Sequence, residues 1–144
     1  MNVSIGSDHA GFDLKEKLVD AVCIIATNVL NCGTHDNESC DYPDYAHEVV
    51  RDVAKNGIAE FGILICGSGQ GMAITANKHQ NIRAALCWTP EIAALARQHN
   101  DANVLCLPAR FVSEAEAFAI VETFLRTPFE GGRHQKRVDK ISLQ

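Results

Sequence analysis

Residues 62–78 read GILICGSGQGMAITANK, and this stretch decides the fold. GILIC (62–66) is a short, uniformly apolar run, the pattern of a strand buried on both faces. Gly67 breaks it. Glycines at 67, 69 and 71 alternate through the turn that follows, and MAITANK then reads as a helix. Strand, tight turn and helix in that order predict a βα unit of a parallel sheet.

The same alternation extends in both directions. VSI (3–5) is a first strand, followed by a helix from about Phe12 to Val22 with Leu14, Leu18 and Val22 on one face. A second strand is expected within CIIATNVL (23–30), where β-branched residues run throughout. Residues 31–42 are a polar loop, and the next helix carries Ala46, Val49, Val50 and Val53. RAALC (83–87) is a fourth strand. Thr89-Pro90-Glu91 supplies a cap, a proline and an early acid for the helix after it. NVLCL (103–107) is the fifth strand. Ser113 and Glu116 form a capping box for a helix with Phe118, Val121 and Leu125 facing inward. A last short helix is expected after Gly131-Gly132. The sum is one α/β domain in three layers, five parallel strands with helices on both sides.

Length and composition agree. The chain has 144 residues, 47% hydrophobic and 22% charged, the size and balance of one globular domain. No apolar run approaches the roughly 20 residues of a membrane helix, and MNVSIGSDHAG does not read as a signal peptide. A cytoplasmic chain without a membrane partner is expected. A net charge of −5 disfavours nucleic acid as a partner. The cationic run GGRHQKR (131–137) therefore calls for a local anion or a solvated face. Six cysteines show no CxxC and no zinc spacing, so most are expected to be reduced core residues.

In parallel α/β sheets ligands gather beyond the carboxyl ends of the strands. Cys66-Gly-Ser-Gly-Gln-Gly-Met72 stands at such an end. Its glycines let a ligand approach the backbone, and the following N–H groups favour an anion or a developing oxyanion. A helix terminus there is expected to lower the Cys66 pKa. A plain tight turn explains one glycine well and three poorly. Two other readings fail. The dinucleotide fingerprint is GxGxxG in the first βα turn, whereas GxGxG here follows the third strand. A phosphatase loop needs Arg at position 72, which is Met.

After the first strand, Gly6-Ser-Asp-His-Ala-Gly11 has the GxxxxG spacing of an NTP loop, but Phe12-Asp13 replaces Lys-Ser/Thr. Asp8 reads equally as a helix cap or as a chemical group. His9 has no evident core role. His99 lies near a helix end, where capping is the commoner use, and Asn100-Asp101 read as a turn. Arg133 and Arg137 are four apart on one face, and with Arg110 they could grip a phosphate. A solvated basic tail is the commoner fate of such a run.

Five stretches together, GSDHAG (6–11), DYPDYA (41–46), CGSGQGMAITANK (66–78), HNDANVL (99–105) and GGRHQKRVDKI (131–141), resemble the type B ribose-5-phosphate isomerases. The same family holds allose- and galactose-6-phosphate isomerases. The resemblance implies a Rossmann-like fold and a place in the pentose phosphate pathway. It also implies no metal or other cofactor, and a homodimer, alone or paired into a tetramer. Active sites would be shared between subunits, with the segment 131–141 at the interface. It implies Cys66 as the base moving a proton between C1 and C2, and His99 with Asp8 as the ring-opening pair. Ser68 would assist or orient the substrate. The backbone of Gly67, Gly69 and Gly71 would hold the enediolate oxygen. Asn100 would bind a hydroxyl, and Tyr42 would line the pocket. His9, Arg133 and Arg137, joined by Arg110, would bind phosphate. Many members carry Thr where Ser68 stands, and some use a carboxylate base and lack Cys66. The rivals are a six-carbon sugar-phosphate isomerase and a silent sugar-phosphate-binding module.

Overall fold

A computed structural model describes residues 1–54 and 56–142. Five strands form the sheet: β1 (Asn2–Ser7), β2 (Asn28–Asn31), β3 (Phe61–Cys66), β4 (Ala84–Leu86) and β5 (Val104–Pro108). Five helices connect or follow them: α1 (Phe12–Ile25), α2 (Tyr42–Val53), α3 (Gln70–Ala76), α4 (Pro90–Asn100) and α5 (Glu114–Arg126). A 3-10 turn (Gly132–His134) then leads into the short α6 (Gln135–Val138). The strand order is β2-β1-β3-β5-β4, every neighbouring pair parallel, so the fold is the expected three-layer α/β sandwich.

Side chains alternate across the sheet and divide the core in two. Val3, Ile5, Ile63, Ile65, Leu105 and Leu107 face a cluster closed by α1, α4 and α5. Leu64, Cys66, Val104 and Cys106 face the other, with Val49 and Val50 of α2 and Met72 and Ala76 of α3. Strand phase alone therefore turns Cys66 toward α2 and α3. The helix starts predicted from sequence are formed. Thr89 Oγ1 accepts from the Ile92 N–H at 3.3 Å, and Ser113 with Glu116 makes both bonds of the capping box.

The second strand departs from expectation. α1 continues through Cys23-Ile24-Ile25, and β2 begins only at Asn28. β-branched content suggested a strand, but Ile25 packs against the same core cluster as Leu18 and Val22, at helical spacing. Cys23 and Ile24 consequently point outward, Ile24 being 87% exposed. Cys23 is thus not a core residue. Lys15, in contrast, is fully buried; its Nζ donates to Asn31 Oδ1 at 2.8 Å and pairs with Glu16, joining α1 to β2. Among the described residues no helix is long and apolar enough to cross a membrane.

Candidate active site

The chain reverses direction across the sheet between β1 and β3, which places a crevice at their carboxyl ends. The residues leaving β1, β3 and β5 meet there. The Asp8 N–H donates to Ile65 O at 3.2 Å, which holds Asp8 beside the end of β3. Arg110 reaches over the glycine turn: a Cβ on Gly67 would stand 3.2 Å from its Nη1. Tyr42 covers Gly71 so closely that a Cβ there would fall 2.6 Å from the ring. Gly69 takes φ +72°, a left-handed conformation that admits glycine most readily, and α3 begins at Gln70, before the expected Met72. The three glycines thus have three uses: an arginine, a turn and a ring.

Asp8 is not the N-cap of α1; that position is Gly11. Its Oδ1 instead accepts from the N–H groups of Ala10 (2.9 Å) and Gly11 (3.1 Å), shaping the turn before the helix. The Cys40 N–H donates to His9 Nδ1 at 3.3 Å. The remaining proton of a neutral His9 therefore sits on Nε2, pointing a donor away from Cys40. Cys66 is 4% exposed and Ser68 is exposed at the turn. Beside Ser68 lies an apolar hollow lined by Leu86, Trp88, Pro108 and Phe111, with Trp88 and Phe111 largely uncovered.

The cysteines differ in environment. Burial pushes Cys32 up to about 11 and Cys87 up to about 12, and it raises Cys106 well above its ordinary value. These three stay protonated at neutral pH and are poor nucleophiles. Cys66 ends β3 and stands against the glycine turn.

His99, Asn100, Arg133 and Arg137 are not part of this crevice within one chain. They line a separate hollow together with His134. His99 and Asn100 end α4, and the chain then turns through Asp101 into the start of β5. Asn103 O accepts from the N–H of Gly62, near the start of β3. From Gly62 to Cys66 is about 13 Å of strand at ~3.3 Å per residue. The two groups therefore occupy opposite poles of the sheet. Arg110 and Arg133 are not brought together, nor are Asp8 and His99.

The second pole is well braced. Asp101 accepts from Arg97 and Arg83, each at 2.9 Å. Gly131 and Gly132 adopt positive φ (63° and 53°) and turn the chain into the last helix, where Arg137 Nη1 donates to Arg133 O at 3.2 Å. The His99 and His134 rings stack at 4.2 Å with an interplanar angle of 11°, and His134 Nε2 lies 3.5 Å from Glu130 Oε2. Burial foremost, with the nearby His99, Arg133 and Arg137, pushes His134 below the usual histidine range, while Glu130 opposes this. One ligand atom each of His99, Glu130 and His134 lies within 4.8 Å of the others. A zinc ion needs both nitrogens aimed at one point about 2 Å away. Parallel rings aim their in-plane lone pairs side by side, so the trio is not arranged as a metal centre.

Sequence reading singles out neither His134 nor Cys40. The only signal for His134 is its four-residue spacing from Glu130, which counts for little outside a long helix.

The sequence profile of the ribose/galactose isomerase family matches residues 3–141. A protein of Escherichia coli strain K12 named ribose-5-phosphate isomerase B is 45% identical over 140 residues, covering 97% of this chain and 93% of the relative. The crystal structure of a ribose 5-phosphate isomerase from Thermotoga maritima superposes with a TM-score of 0.93 at 52% identity, covering 97% of this chain and 96% of that one. The Mycoplasma genitalium ribose-5-phosphate isomerase B, solved with bound ribulose-5-phosphate, superposes with a TM-score of 0.92 at 47% identity, covering 97% and 93%. Shared sequence along nearly the whole chain and a shared backbone lead to one conclusion: this chain belongs to the ribose/galactose isomerase family and is an isomerase.

Proposed function

We propose that this isomerase interconverts ribose 5-phosphate and ribulose 5-phosphate, as a cytoplasmic homodimer whose active sites are each assembled from both chains. It would act as one domain, with the segment 131–141 at the dimer interface, and serve the pentose phosphate pathway. The observation that carries this reading is the crevice itself: a cysteine at a strand's carboxyl end, a glycine turn, an arginine above it and an aspartate beside it. The Mycoplasma relative with bound ribulose-5-phosphate supports the choice of sugar.

The chemistry runs in two stages. Ribose 5-phosphate begins as a closed ring. His99 gives a proton to the ring oxygen while Asp8 receives the proton of the C1 hydroxyl, freeing the aldehyde. The Cys66 thiolate then takes the C2 proton. Electrons move to O1, and the enediolate oxygen is held by N–H groups of the glycine turn. Return of the proton to C1, with transfer of the O2 proton to O1, gives the ketose. Nothing is oxidised or reduced overall. Arg133, Arg137, Arg110 and His9 bind the phosphate, Asn100 a hydroxyl, and Tyr42 closes the pocket wall; remote phosphate binding orients the reacting carbons.

Because the ring-opening histidine and two of the arginines stand at the pole away from Cys66, a second chain supplies them. The apolar hollow beside Ser68, with Trp88 and Phe111 uncovered, suits contact with that chain.

The direct test is ketose formation from ribose 5-phosphate with chelator present. Turnover is expected without added metal. Turnover only with allose or galactose 6-phosphate would overturn the five-carbon assignment, and none with any sugar phosphate would leave a binding protein. Arg137→Ala is expected to raise KM about tenfold while kcat falls about threefold at most, as loss of ground-state phosphate binding should. Steady-state kinetics check this, and an unchanged KM contradicts the clamp.

A further inference from the structure

His134 is a buried, titratable side chain that the mechanism above does not use. It lies flat against His99, with ring centroids 4.2 Å apart and an interplanar angle of 11°. Glu130 also holds it, Oε2 at 3.5 Å from Nε2. The backbone secures both ends of this stack: the Glu130 N–H donates to Gln98 O, and the His134 N–H donates to Gly131 O. His99 itself makes no described side-chain hydrogen bond, so the stacked ring is the contact that sets its plane.

We propose that His134, anchored by Glu130, is a positioning residue for His99, fixing the plane in which His99 exchanges a proton with the sugar ring oxygen. The inference rests on the ring-opening role proposed above for His99. A stacked imidazole suits the task. Proton transfer needs donor and acceptor in line, and an imidazole on a helix end turns about two side-chain bonds unless something holds it. A flat neighbour removes that freedom without occupying either ring nitrogen of His99.

The test separates ring opening from enolisation. Ribulose 5-phosphate has no hydroxyl free to close a five-membered ring, because O5 carries the phosphate. Exchange of its C1 proton in D2O needs the base but no ring opening. His134→Ala is expected to lower kcat on ribose 5-phosphate about tenfold or more, since misplacement by an ångström can cost that much. KM and the C1 exchange rate should stay within about twofold, because the phosphate grip and the base are untouched. His134→Phe, which keeps a flat ring, should recover most of kcat. A wild-type kcat in His134→Ala overturns the proposal. So does an exchange rate that falls in step with turnover, or a Phe variant no better than Ala. His99→Ala serves as the reference. If it loses turnover but keeps exchange, the ring-opening reading stands whatever His134 does; if it keeps full turnover, that reading itself fails.

Discussion

Cys66→Ala should lose turnover of ribose 5-phosphate by about a thousandfold or more, with the fold intact, because the proposed mechanism gives the C2 proton to this thiol. Asp8 is the nearest rival, and one of its oxygens already accepts two backbone N–H groups. Burial holds the thiols of half-buried Cys32 and buried Cys87 and Cys106 protonated. Exchange of the ribulose 5-phosphate C1 proton should vanish along with turnover, which distinguishes this variant from those at His99 and His134. The structural cost is small. Removing one sulfur from the face shared with Leu64 and Met72 should cost about 1 kcal/mol, a value typical of a modest core truncation. Thermal unfolding and a turnover assay on the same preparation check both halves. Turnover near wild type would remove Cys66 from the mechanism.

Two inactive variants should restore activity to each other. Cys66→Ala spoils one pole and His99→Ala the other. If each site draws Cys66 from one chain and His99 from its neighbour, a mixed dimer holds one site with both defects and one with neither. Random exchange makes half the dimers mixed, and half of their sites are intact. Recovery of about one quarter of wild-type activity is therefore expected from two closely matched subunits. Unfolding and refolding an equimolar mixture, followed by the ribose 5-phosphate assay, measures it. No recovery, with mixed dimers present by mass spectrometry, would mean that each chain builds its own site and that the two poles serve different purposes.

Much of this was legible in local sequence. β3 and β5 show as apolar runs because central strands of a parallel sheet are buried on both faces. The starts of α4 and α5 show because capping is a contact between residues three apart. The end of α1 did not show. Cys23, Ile24 and Ile25 favour a strand by type, but the core accepts Ile25 at helical spacing from Leu18, and tertiary packing outweighed propensity. The division of the site could have been read. HNDANVL precedes a strand, and in a parallel sheet the segments that precede strands lie at the amino ends, away from Cys66. The stacking of His99 on His134 was not legible, since it joins residues 35 positions apart through a turn set by two glycines in positive φ.

If the two poles meet across chains as proposed, they also limit what shape an assembly can take. Under the proposed division of the site, each chain carries one donor patch and one acceptor patch, facing in opposite directions. Copies stacked end to end would satisfy every junction except the last at each end, and the result would be an open filament. Two copies laid side by side with their sheets running in opposite directions satisfy both patches at once. A twofold axis then relates the two reaction chambers, and no sticky surface is left over. On that reading, catalytic competence and closed symmetry would be the same event. If the site is shared as proposed, a lone chain should be inert toward the sugar, and dilution that separates the pair should silence both chambers together.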